Sequence, residues 1–179
     1  MVGEVYREEE PWVAAFLWTR GERSELPMLD GWSECIATDI NESGHVVGNC
    51  WPRAVMWYKG GVVALDVGGT YSYAAAINSS GQVVGNSSDG AFLWDNGETQ
   101  PLRTLGGRSG ARDINDAGQI VGSSWTSTGE RHAVLWDRDR MLDLGPGSAS
   151  AINNQGWIIG RIALANGGSD LVLWKPLNQ

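Results

Sequence analysis

Apolar residues in this chain come in short bursts of two to seven, each cut off by glycine or a polar residue well before it reaches the length of a helix. The bursts recur in phase. One follows a turn and reads Ile-Asn-x-x-Gly-x-(Val/Ile)-(Val/Ile)-Gly, as INESGHVVG from Ile40, INSSGQVVG from Ile77, INDAGQIVG from Ile114 and INNQGWIIG from Ile152, at steps of 37, 37 and 38 residues. A second ends in tryptophan (AAFLW, AVMW, AFLW, AVLW, LVLW), with Trp18, Trp57, Trp94, Trp136 and Trp174 spaced by 39, 37, 42 and 38. A third, weaker element follows as LPMLDG, LDVGG, LRTLGG and LDLGPG. Repetition at a fixed period of this size marks a stack or ring of small supersecondary units.

Each unit reads as strands. Ala-x-x-Ile-Asn, led by Ala37, Ala74, Ala111 and Ala149, is a first strand running into a turn. The Asn side chain bonds nearby backbone amides there, and the glycine three positions on takes positive φ, as in a type I turn with a glycine bulge. The Val-Val-Gly segment returns, the Trp burst is a third strand, and Leu-x-x-Leu-Gly-Gly is a fourth, closed by a glycine corner. The run Glu130–Leu144 is long enough for a helix, but its aligned counterpart carries Gly97 and Pro101, so no helix is expected. Four strands in roughly 38 residues is the pattern of a propeller blade. With Met1-Val2-Gly3 as the remnant of a return strand, the Trp strand occurs five times. The expected fold is therefore all-β: one five-bladed β-propeller domain over 1–179. Its blades fall near 1–35, 36–72, 73–109, 110–147 and 148–179, the ring being closed by the N- and C-terminal segments. A four-bladed ring or an open solenoid would leave strand edges unpaired.

Composition narrows the partners. The 179 residues carry 13 Lys and Arg against 21 Asp and Glu, a net charge of −8, so neither a nucleic-acid backbone nor an anionic membrane surface is an expected partner. No apolar run approaches a membrane span, so no insertion is expected, and residues 2–11 read VGEVYREEEP, without the pattern of a secretory signal. The 25 glycines are spread along the chain, which suits repeated tight turns. Two cysteines make neither a disulfide scaffold nor a four-cysteine metal site. Cys35 and Cys50 flank the first Asn turn. Setting Ile40 opposite Val46 on the core face places Cys50 opposite Ile36, which predicts two free thiols; a register shifted by one would set the cysteines opposite each other.

The segments ARDINDAGQIVG (Ala111–Gly122), HAVLW (His132–Trp136) and LRTLGG (Leu102–Gly107) resemble the HAF-repeat family of extracellular repeat proteins, and the resemblance covers nearly the whole chain. It implies an extracellular setting and no assigned chemistry. The family's histidine position is Ala14, Arg53, Gly90, His132 and Asp170 in the five copies, which excludes a histidine role common to every unit.

Aromatics supply the candidate chemistry. The five strand-end tryptophans recur at one position and are expected to fill equivalent holes between blades. Three residues past the second glycine of each return strand stand Tyr6, Trp51, Ser88, Trp125 and Ala163. Tyr6, Trp51 and Trp125 thus put large aromatics at one loop position, suited to stacking on a sugar or a peptide, with Arg53 and His132 near enough to assist; the alternative is that they cap their own blades. Catalysis finds little: no nucleophile elbow, no zinc or EF-hand spacing, and in GPGSAS from Gly145 no phosphate loop. Asp39 and Asp113 before the Asn turns, and Asp66 and Asp143 in the fourth strand, read as solvated or turn-capping acids, with a cation in a central channel as the alternative. The expected function is a non-enzymatic binding module, without cofactor or metal, presenting blade loops to a glycan or protein ligand as a monomer. A purely structural repeat scaffold and an enzyme with an acid or metal site in the channel are the alternatives.

Overall fold

The computed structural model describes residues 1–6, 13–32, 34–164 and 166–175. Among them are seventeen strands in four antiparallel sheets and no helix. Unit 1 holds β1 (Val2–Tyr6), β2 (Val13–Thr19) and β3 (Glu22–Glu25); unit 2 holds β4 (Cys35–Ile40), β5 (Val46–Cys50), β6 (Arg53–Tyr58) and β7 (Gly61–Ala64). Unit 3 repeats this as β8 (Ser72–Ile77), β9 (Val83–Ser87), β10 (Gly90–Asp95) and β11 (Glu98–Pro101). Unit 4 begins with β12 (Gly106–Ile114), β13 (Gln119–Thr126) and β14 (Arg131–Asp137). The long β15 (Arg140–Ile152) is its last strand and also the first of unit 5, which ends with β16 (Ile158–Ala163) and β17 (Ser169–Trp174). Pairing on β15 passes from β14 to β16 between Pro146 and Gly147, so the last unit boundary falls inside a continuous strand. Strands are meandered in chain order within each unit.

The Asn turns have the expected geometry. Gly44, Gly81, Gly118 and Gly156 all have φ between 78° and 84°, and the Asn41 amide donates to the His45 carbonyl, which pairs those two residues across the turn. Ile40 lies opposite Val46, also as expected, but the cysteines do not remain free: Cys35 and Cys50 are joined in a disulfide. A second bulge corrects the register. Thr38 is an extra residue between Ala37, opposite Gly48, and Asp39, opposite Val47, so the one-residue offset made at the turn is cancelled and Cys35 comes to face Cys50. The same bulge recurs at residues 75, 112 and 150. It explains the second glycine of the motif. A Cβ on Gly48, Gly85, Gly122 or Gly160 would collide with the backbone carbonyl of Ile36, Tyr73, Gly110 or Ser148.

The fourth strand lies earlier than the sequence pattern places it. In units 1 to 3 it is β3, β7 and β11, and the Leu-x-x-Leu-Gly-Gly segments that follow are irregular. Only their first leucine stays on the ladder, Leu26, Leu65 and Leu102 donating to Ala15, Ala54 and Ala91 at 2.9 Å. Gly68 and Gly69, both at φ 76°, then turn the chain away from the sheet.

The core lies between units, not within them. Four apolar clusters join units 1–2, 2–3, 3–4 and 4–5. At each joint the Val47, Ala54 and Met56 type of position, the back of one sheet, meets the Ala74, Ile77 and Val83 type, the front of the next. The two outermost faces have no such cover. On the back of unit 5, Ile159, Leu171 and Leu173 are 53, 80 and 54 % exposed, whereas Val121, Ala133 and Leu135 at the same positions of unit 4 are buried. At the front of unit 1, Met1 and Trp18 are exposed. The strand-end tryptophans follow suit and are not equivalent. Trp57 and Trp136 are buried and donate Nε1–H to the carbonyls of Pro27 and Arg103 in the preceding unit, at 2.7 and 2.8 Å; Trp94 and Trp174 are half-buried. Trp136→Ala is therefore expected to cost roughly 3–5 kcal/mol in chemical denaturation and Trp18→Ala roughly 1 kcal/mol, and equal losses would contradict this packing.

Candidate functional site

Because strands alternate in direction, each sheet has an Asn-turn end and an opposite end carrying the loop between return strand and Trp strand. The two ends differ in chemistry.

The Asn-turn end is a structural seam. Asn78 Oδ1 accepts the Ser80 and Gln82 amides of its own turn, while Asn41, Asn78 and Asn115 donate Nδ2–H to the backbone carbonyls of Asn78, Asn115 and Asn153 in the next unit, at 3.0, 3.2 and 3.1 Å. The acids weighed as cation ligands belong to this seam. Asp39 accepts the amides of Ile40 and of Ile77 one unit on, at 2.8 and 2.9 Å; Asp113 does the same for Ile114 and Ile152, at 2.9 and 2.7 Å. One carboxylate thus serves two units, which accounts for alanine at the intervening positions Ala76 and Ala151. Among the described residues no group of three or more His, Cys, Asp or Glu side chains is placed to hold a metal ion. Burial raises the Asp113 pKa above the ordinary 3.8, two backbone amides work against that, and the Asp39 charge adds to it.

At the opposite end two of the aromatic candidates, Trp51 and Trp125, are linked through Tyr71. Trp51, 53 % exposed, stacks on Tyr71 with ring centroids 5.9 Å apart and planes 22° from parallel. Tyr71 in turn lines a cleft of ≈ 410 Å³ between units 3 and 4, together with Tyr73, Trp125, Arg108, Arg112 and Arg131. Arg131 sits over the Trp125 ring, 5.2 Å from its centroid, and its Nε–H donates to Ser123 Oγ at 3.1 Å. Partial burial lowers the Arg131 pKa, and the nearby Arg112 guanidinium lowers it further. Tyr6 is in β1 opposite Val13, and its side chain lies outside the described residues.

The two polar candidates fall elsewhere. Arg53 is exposed at the start of β6. His132 turns away from the surface: its Nδ1 lies 2.8 and 2.9 Å from the Asp143 carboxylate oxygens, and its Nε2 is buried without a hydrogen-bond partner, 3.8 Å from a Glu130 oxygen. This pair holds β14 against β15. Sequence reasoning missed Tyr73 and the three arginines. Its one signal was the spacing of 42 between Trp94 and Trp136, which lengthens the β13–β14 hairpin and sets Trp125 directly opposite Arg131.

No protein-family model and no curated protein sequence matches the chain.

Asp113 gives a pH test of the seam. The folded-state carboxyl keeps its proton to higher pH than the unfolded one, so its contribution to stability is greatest below 3.8 and falls as pH rises through the window above that value. Wild type minus Asp113→Asn stability, measured by urea denaturation, is expected to decrease from about pH 3.5 to about pH 6; an increase would mean that the buried amides outweigh burial.

Proposed function

We propose that this protein is a non-enzymatic binding module that holds carbohydrate on the loop edge of its sheets. The observation that carries the reading is the continuous aromatic surface from Trp51 through Tyr71 to the Trp125 cleft. Pyranose rings present apolar C–H faces that stack on indole and phenol rings, and ligand clefts combine such faces with a few oriented polar groups. A peptide is the second ligand class such a surface accepts. The non-enzymatic reading draws support from His132, the one histidine beside a carboxylate among the described residues, whose second ring nitrogen is buried without a hydrogen-bond partner.

The architecture proposed for this module is a monomeric five-bladed ring of the HAF-repeat type. Every joint in the array is front to back, and the faces left over, the front of unit 1 and the back of unit 5, are one of each kind. Closing the ring brings them together and sets the loop ends of all units around one rim, where several weak contacts act at once.

Titrating a diverse glycan panel into the protein, read by Trp fluorescence, is expected to give saturable changes that the Trp51→Ala, Trp125→Ala double variant loses; silence across the panel in wild type would overturn the carbohydrate reading. Closure has its own test. Leu171→Asp with Leu173→Asp is expected to lower Tm by several degrees in a species that stays monomeric by light scattering. An unchanged Tm would refute closure, and a wild-type Tm that rises with protein concentration would replace it by association between copies.

A further inference from the structure

The chain carries 21 acidic residues against 13 basic ones, yet Arg108, Arg112 and Arg131 meet in one cleft. Arg108 and Arg112 extend from β12 and Arg131 from β14, and among the described residues none of the three makes an ion pair with a carboxylate. Asp89 is the single acid in the lining; it accepts a hydrogen bond from Ser88 Oγ at 3.2 Å and forms no ion pair with the three arginines. Like charges gathered without counterions oppose folding, and an acidic protein has carboxylates to spare for neutralising them. This cleft has one carboxylate against three guanidinium groups. Arg131 is moreover fixed by Trp125 and Ser123, so part of the ordering cost of binding is already met.

Guanidinium groups present paired N–H donors that match the two oxygens of a carboxylate, while Trp125 and Tyr73 offer faces for a sugar ring beside them. We infer that the cleft between units 3 and 4 is a binding site for an acidic saccharide, a uronic acid residue whose carboxylate is held by Arg108, Arg112 and Arg131 and whose ring packs on Trp125 and Tyr73. This deepens the carbohydrate reading above and rests on it. Serine hydroxyls at Ser109 and Ser123 line the same cleft and supply partners for the sugar's own hydroxyls. Recognition by charge also makes binding sensitive to salt, more so than stacking alone would.

The probe is a tetramer of galacturonic acid, titrated calorimetrically alongside its fully methyl-esterified form, which keeps the sugar faces and removes the charge, and alongside inorganic sulfate and phosphate. Wild type is expected to bind the acid tetramer at least tenfold more tightly than the ester, and more tightly than either inorganic ion. Arg108→Gln with Arg112→Gln, both at exposed positions, is expected to lose at least tenfold in affinity for the acid, with a Tm no lower than that of wild type and a much smaller loss toward the ester. Equal binding of acid and ester would overturn the acidic-ligand assignment and leave the carbohydrate reading standing. Sulfate or phosphate binding as tightly as the tetramer would overturn the sugar and leave a simple anion site. No binding of the acid, while the glycan panel gives other ligands, would overturn the assignment as well.

Discussion

A sheet of four short strands has two faces and, among the described residues, no helix covers either. An inner unit therefore buries both faces only by lying between two others, and much of the structure serves that apposition. The front of each inner sheet is built from alanine, valine, isoleucine and the strand-end residues, the back from the alternate positions of the same strands, so one alternating sequence supplies both halves of every joint. The polar seam complements the apolar one. Asn41, Asn78 and Asn115 each satisfy their own turn and reach one unit forward, and Asp39 and Asp113 each bind two isoleucine amides in successive units. Buried polar groups are costly unless bonded, and here the bonding partner comes from the neighbour. A misplaced unit would thus lose apolar cover and hydrogen bonds together.

The glycine inside each return strand ties local geometry to this packing. Without a side chain at Gly48, the bulge at Thr38 brings the opposing carbonyl close, and the register beyond it shifts by one residue. In unit 2 that shift sets Cys35 against Cys50. In unit 4 the bulged residue is Arg112, which the fold thereby delivers to the cleft. One irregularity, repeated four times, staples a hairpin in one unit and places a charged side chain in another.

The Asn turns and Trp strands were legible because single residue types enforce them: a positive φ needs glycine, and a strand end facing a neighbour needs bulk. The second bulge was not legible, since its extra residue is Thr38, Ala75, Arg112 or Ser150, with nothing in common. Its trace was the glycine opposite, readable equally as a strand corner. Leu-x-x-Leu reads as a strand by pattern, yet after Leu65 the chain leaves the ladder because Gly68 and Gly69 take it elsewhere. Of the candidate surface, Trp51 and Trp125 were visible as departures from the repeat. Tyr73 was not, because it reaches the Trp125 cleft only after two units have packed, and Arg108 and Arg112 were not, because the bulges in the β12–β13 pairing decide where they lie. His132 looked available from its position beside Trp125 in sequence; its bond to Asp143, eleven residues away, depends on the β14–β15 register.

The asparagine seam has a direction. Every side-chain amide points toward the later unit, and Asn153, the last, is exposed. For the asparagines a joint is indifferent to which copy lies on either side, so that part of the seam sets no limit on the number of units. The cleft between units 3 and 4 has no such freedom: its arginines and tyrosines come from two particular neighbours. The length of the array and the chemistry of the cleft are therefore written in different residues, the first in those that repeat and the second in the few that break the repeat.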